Sequence, residues 1–177
     1  MPLLSCPIPA DISVLTSAGF LFEIQKYPEV TYYTQEVMLP TISLGSSVQA
    51  SSVHDLKIPG DTMDFDDITI QFLVDAKMEN YLAIHNWIVG LGFPEGNDMF
   101  TKLLASPRNI NSPTDALKMV SDCSLIVLDN NNQPLKKFNF VDAFPTQLSG
   151  LSFSSTSDTT INMMATMTMS YSYYTVS

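Results

Sequence analysis

From Ile161 to Tyr173 the chain alternates without a break. Ile161, Met163, Ala165, Met167, Met169, Tyr171 and Tyr173 fall on one side. Asn162, Met164, Thr166, Thr168, Ser170 and Ser172 fall on the other. A period of two is the signature of a β-strand, whose successive side chains point to opposite faces. These thirteen residues would extend about 43 Å at ~3.3 Å per residue, against a usual strand of about five or six residues. One face is Met and Tyr and the other is mostly hydroxyl. Methionine packs adaptably and tyrosine joins an apolar body to a polar tip, so Met167, Met169 and Tyr171 are candidates for a contact between subunits. The competing reading is the inner face of a sandwich strand whose outer face is wet.

The rest of the chain is also strand-rich. Phe20 to Ile24 and Val30 to Val37 are β-branched and aromatic, and Tyr27-Pro28-Glu29 between them predicts an antiparallel hairpin. Ser121 to Leu128, the Asp129-Asn130-Asn131-Asn132 turn and Pro134 to Phe140 form the clearest hairpin. Phe144-Pro145 is expected to turn into a strand over Gln147 to Phe153. The Ser-rich region from Pro40 to Ile58 predicts an extended, partly exposed hairpin, with Asp55 and Lys57 placed to stack one subunit on another.

Between these strands, Ile58 to Pro94 runs turn, acidic connector, strand, helix and stop. Ile58-Pro59-Gly60-Asp61 has the residues of a type II turn. Ile68, Ile70, Phe72 and Val74 alternate along a half-buried strand. Asp75 is placed to cap a helix over about Ala76 to Val89, with Met78, Tyr81, Leu82, Ile84, Trp87 and Ile88 on its apolar face. Gly90 reads as its C-cap and Pro94 as a stop. Residues 92–116 hold three prolines, three asparagines and two glycines, so they predict a long surface loop with a short helical turn at Phe100 to Ala105. The sum is about eight strands and one main helix, in one mostly antiparallel domain over residues 1–177 with an irregular arm at 1–19.

Charge narrows the function. Hydrophobic residues make up 45% and charged residues 15%, so the surface must carry uncharged polar and apolar groups, a composition that favours oligomers. Eighteen acids against eight bases, a net charge of −10, disfavour a nucleic-acid reader but suit a surface that DNA passes without sticking. Cys6 and Cys123 lie far apart and make no disulfide framework. Cys123 reads as a small core residue, in keeping with assembly in a reducing cytoplasm. The opening residues lack the charged start of a signal peptide, and no apolar run approaches a membrane span, so no membrane insertion is expected.

Catalytic chemistry is not expected. His54 and His85 have no second ligand at zinc spacing. The Asp61, Asp64, Asp66 and Asp67 cluster has Asp66 and Phe72 where a calcium loop needs Gly and Glu. It reads better as a solvated turn or an ionic contact to a neighbouring subunit, which makes Asp61, Asp64 and Asp66 interface candidates beside Asp55 and Lys57. Gly90-Leu91-Gly92 follows a helix and not a strand, so it is no phosphate cradle. No catalytic residue, metal or cofactor is expected. A calcium- or carbohydrate-binding sandwich using the Asp cluster is the reading from another class.

The segment Pro59-Gly60-Asp61, Phe65 to Asp75, Glu79-Asn80-Tyr81-Leu82 and Asn86-Trp87 resembles the tail tube protein family of contractile-tailed phages. The C-terminal pattern does so too, with Ser124 to Asp129, Phe144-Pro145-Thr146, Leu148-Ser149-Gly150-Leu151 and the terminal Tyr173-Tyr174. The resemblance covers about residues 20 to 175. It implies a mainly β fold, an antiparallel β-barrel or two-sheet sandwich flanked by one α-helix. It further implies six-membered rings that stack into a conduit for DNA, contacts to sheath and baseplate proteins, and a place in the virion. The same fold serves tube-initiating or adaptor rings, which is the alternative assignment.

Overall fold

The computed structural model describes residues 15, 19–50, 54–92, 94, 96–109, 114–154 and 162–177. Nine strands are assigned among them: β1 (Phe20–Ile24), β2 (Thr34–Met38), β3 (Ile42–Gln49), β4 (Leu56–Phe65), β5 (Ile68–Leu73), β6 (Ser121–Leu128), β7 (Pro134–Leu148), β8 (Met164–Ser170) and β9 (Tyr173–Val176). The helices are α1 (Pro28–Thr31), α2 (Glu79–Gly92), α3 (Asn97–Leu104) and α4 (Asp115–Met119). All pairing is antiparallel.

Strand β7 organises the sandwich because it belongs to both layers. Its first part pairs with β6 on one side and β9 on the other, and β1 extends that layer beyond β6. Its last part pairs with β8, which continues through β5 to β2. The passage falls at Asp142, whose φ of 55° is paid for locally by an irregular register opposite Ser121 and Cys123. The described strands form an open sandwich with β1 and β2 at its two ends and no closed barrel. The expected turn at Phe144-Pro145 is instead strand: β7 runs through it, and Pro145 sits beside a register shift where a missing N–H is tolerated.

The C-terminal alternation is divided between the layers. β8 ends at Ser170, the backbone N–H of Ser172 donates to the Val141 carbonyl at 3.0 Å, and β9 then pairs with the other half of β7. One straight strand could not follow a partner that bends, so the thirteen-residue strand is corrected to two short ones. Ile161 lies outside the described residues.

The core fills the space between the layers. Phe22 and Ile24 of β1, Ile68, Ile70 and Phe72 of β5, Leu125 of β6, Phe140 of β7, and Met167 and Met169 of β8 are all buried. The predicted β1–β2 hairpin does not form. Pro28 suits the first turn of a helix, so α1 forms there, buries Val30 and sends β2 to the opposite layer, where it pairs with β5.

Helix α2 flanks the core through Ile84 and Trp87, while Leu82 is exposed. Its start is three residues later than predicted because Met78 adopts φ 59°. Asp75 is not its side-chain cap. Buried Asn80 closes this end: its Oδ1 accepts from the Asp75 and Tyr81 backbone N–H groups at 3.1 and 2.8 Å, and its Nδ2 donates to the Leu73 carbonyl at 2.7 Å. Gly90 is not the C-cap, since the helix continues to Gly92. The expected loop over 92–116 is largely helical where it is described, containing α3, a 3₁₀ turn at Pro107–Asn109 and the start of α4.

Candidate assembly surface

Strands β3 and β4 form a two-stranded sheet of their own, apart from the sandwich. Every residue of β3 is exposed, and in β4 only Gly60 and Phe65 are partly covered. Such a ribbon normally hides one face, because a lone hairpin is marginal in water. Yet Ile42, Leu44, Val48, Leu56, Ile58 and Met63 are each between 43% and 56% exposed. Ile42 lies opposite Phe65 and Leu44 opposite Met63, so these four side chains share one face. Met38 and Leu39, also exposed, extend the apolar surface toward the root.

The ribbon is anchored at its root and held close across its middle. The Asp66 backbone N–H donates to the Thr41 carbonyl at 3.1 Å. Phe65 meets Tyr171 and Tyr174 with ring centroids 6.2 and 5.5 Å apart, and Phe140 joins both tyrosines at 5.0 and 5.4 Å. This aromatic cluster transmits the ribbon's position to the core. Farther out, the strands cross at two glycines: a β carbon on Gly60 would sit 2.6 Å from the Gly45 carbonyl oxygen. Pro59-Gly60-Asp61 is therefore part of β4 and not the predicted turn. Its register against β3 is irregular there, which accommodates the proline.

The predicted contact residues separate into two groups. Asp55, Lys57, Asp61, Asp64 and Asp66 are exposed on or beside the ribbon, and none has an ion-pair partner among the described residues. Lys57 lies opposite Val48, and Asp64 opposite Ser43 on the face away from Ile42 and Leu44. Met167 and Met169 are instead 0% exposed within the subunit's own core, where they are unavailable to a second chain. Their alternation reports a sandwich interior, the competing reading of that face. Tyr171 is half-buried in the aromatic cluster, and its hydroxyl is buried without a hydrogen-bond partner. Burial foremost, then Tyr174 and the carboxylates of Asp67 and Asp66, push its phenol up to about 12.

Among the described residues no cluster of three acidic, His or Cys side chains is arranged to hold a metal. Asp61 and Asp64 are spread along an extended strand, unlike the wrapped ligands of a calcium loop. His54 and His85 are exposed. Cys123 is a buried free thiol whose ionisation burial strongly opposes; Cys6 lies outside the described residues. No helix among the described residues is long and apolar enough to cross a membrane.

Near the helices, sequence reasoning missed the role of Lys26 and gave α3 only as a short helical turn at Phe100 to Ala105. Lys26 sends its Nζ to the carbonyls of Leu117, Lys118 and Val120, capping the end of α4. Helix α3 was legible in principle: Met99, Leu103 and the Phe100–Leu104 pair recur at helical spacing, with Asp98 in the first turn and Lys102 in the last.

Comparison with known proteins places this architecture. The tail tube terminator protein of Enterobacteria phage T4 is 25% identical over 120 residues, which is 67% of this chain and 60% of that protein, so the match spans less than two thirds of the relative. A chain of the anti-feeding prophage baseplate has a similar fold, with TM-score 0.60 and 13% identity over 93% of this chain and 95% of that one. The anti-feeding prophage tube-terminating cap gives TM-score 0.59 and 16% identity over 100% and 99% of the two chains. A chain of the PVC sheath/tube terminator, from an extracellular contractile injection system, gives 0.55 and 18% over 98% and 99%. These structural likenesses are of fold alone. The model of the phage tail tube protein family, however, matches residues 5–177, nearly the whole chain, and the protein therefore belongs to that family.

Proposed function

We propose that the protein is a structural subunit of a virion tail, without a catalytic role, that assembles into a ring, and that this ring closes the end of a contractile tail tube.

 The observation that carries it is the β3–β4 ribbon, six of whose large apolar side chains stay about half exposed on a subunit whose core is already full. A surface of this kind is covered by a partner or becomes an aggregation site. Copies of the same chain are the simplest partner, since a ring gives each ribbon an identical neighbouring surface and leaves no ribbon uncovered.

The terminal position is supported by the kinship with a tube terminator and by the end-to-end likeness to tube-terminating chains. On this reading the ring is six-membered, its partners are the last tube ring and the sheath, and DNA crosses the lumen without specific binding. The net charge of −10 suits that passage by repelling the phosphate backbone. The exposed Asp55, Lys57, Asp61, Asp64 and Asp66 then serve the contacts between subunits or between rings.

The second reading is the repeating tube subunit itself, favoured by the family match. Electron microscopy of the purified protein separates the two: a terminator gives discrete rings, a repeating subunit gives tubes of indefinite length. Quantitative mass spectrometry of virions supplies the same distinction as copy number relative to sheath. A protein that stays monomeric at high concentration, and is missing from purified tails, would sink both.

A further inference from the structure

Helices α2 and α3 cross at Gly90, where a β carbon would lie 2.9 Å from Leu103 Cβ. The glycine lets α3 rest on α2, yet no residue of α3 is fully buried. Beside the crossing opens a cavity of about 400 Å³. Its lining includes Trp87 and Tyr27, whose rings stack with centroids 4.5 Å apart and planes 16° from parallel. Ala83 and Leu103 add aliphatic wall, Asn86 offers an amide, and among the described residues Lys102 is the only charged side chain of the lining.

We propose that this groove docks the carboxyl terminus of a partner protein, with an apolar last side chain against Trp87 and Leu103 and the terminal carboxylate at Lys102. Three observations select that chemistry. The volume suits a side chain with its adjoining backbone, at the small end of ligand sites. In a chain with eighteen acids and eight bases, a lining whose described residues carry one cation and no carboxylate is a local reversal of sign, and it favours an anion. The Asn86 amide can both donate to and accept from a peptide unit, and capture of a terminal carboxylate is an established mode of peptide recognition. The proposal stands whether the ring ends the tube or repeats along it.

Trp87 is the only tryptophan, so its emission reports occupancy of the groove. The probes are pentapeptides with four Gly or Ser residues and a last residue of Leu, Ile, Met, Phe or Val, each as free acid and as C-terminal amide. At least one free acid should shift Trp87 emission saturably at up to millimolar concentration, and its amide should bind about tenfold more weakly. Lys102→Gln, at an exposed position, should leave melting and assembly unchanged while abolishing the difference between acid and amide. Ala83→Phe, which fills the groove, should remove the response. The proposal is overturned if no free acid shifts the emission, if acid and amide bind equally, or if Lys102→Gln binds like the parent.

Discussion

Replacing Leu44 and Met63 together by serine tests the assignment of the ribbon most directly. The two residues are cross-strand neighbours on one face, 56% and 53% exposed in the subunit. Full burial of such a side chain is worth about 1.5–3 kcal/mol, so covering the exposed half on assembly contributes about 1 kcal/mol for each. The double variant should thus lose about 2 kcal/mol per contact, or about 30-fold in the association constant. In a closed ring every contact carries this loss, so assembly at micromolar concentration should fail. Because both side chains lie outside the core, the subunit's own stability should change by no more than about 0.5 kcal/mol. Sedimentation velocity reads assembly and urea unfolding reads the subunit. Unchanged rings would refute the claim that this face is a contact; a large fall in subunit stability would refute the claim that the ribbon is independent of the core.

Three further outcomes follow from the geometry. Gly60→Ala places a β carbon 2.6 Å from the Gly45 carbonyl oxygen, so the strands of the ribbon must separate; hydrogen exchange should speed up across β3 and β4 while the core strands keep their protection. Asn80→Ala removes the side chain that satisfies the Leu73 carbonyl and the Asp75 and Tyr81 N–H groups, and should cost about 1–3 kcal/mol in urea unfolding. The Tyr171 phenol is raised from an ordinary 10.0 to about 12, so the folded state holds its proton more tightly than the unfolded state. Its contribution is complete below pH 10 and is lost as pH rises from 10 toward 12. Tyr171→Phe should therefore flatten the fall of melting temperature across that window, and an equal slope in both proteins would contradict the assignment.

Where local pattern and tertiary setting agree, the sequence was a good guide. The β6–β7 hairpin, the buried side of β5, the helix carrying Ile84 and Trp87, and Cys123 as a core residue all follow from periodicity and residue type. These features depend on neighbours a few positions away, so the chain specifies them locally. The exposure of the Asp55 to Asp66 side chains was legible for the same reason.

The errors among the strands concern where a strand goes after it has formed. Pro28 and Pro145 look alike as punctuation, but one opens a helical turn and the other rides inside β7 at a register shift. Pro59-Gly60 has the residues of a turn, yet the close approach of Gly45 makes it strand. Met167, Met169 and Tyr171 share one alternating face, but the bend of β7 puts the methionines in the core and leaves the tyrosine half-buried at the ribbon's root. Alternation distinguishes two faces of a strand without saying what covers either one. The amino-acid pattern thus determined that this would be a mostly antiparallel β fold with a flanking helix. Tertiary structure alone decided which apolar faces were used internally and which were left exposed on the ribbon, because that depends on strand pairing between residues distant in the chain.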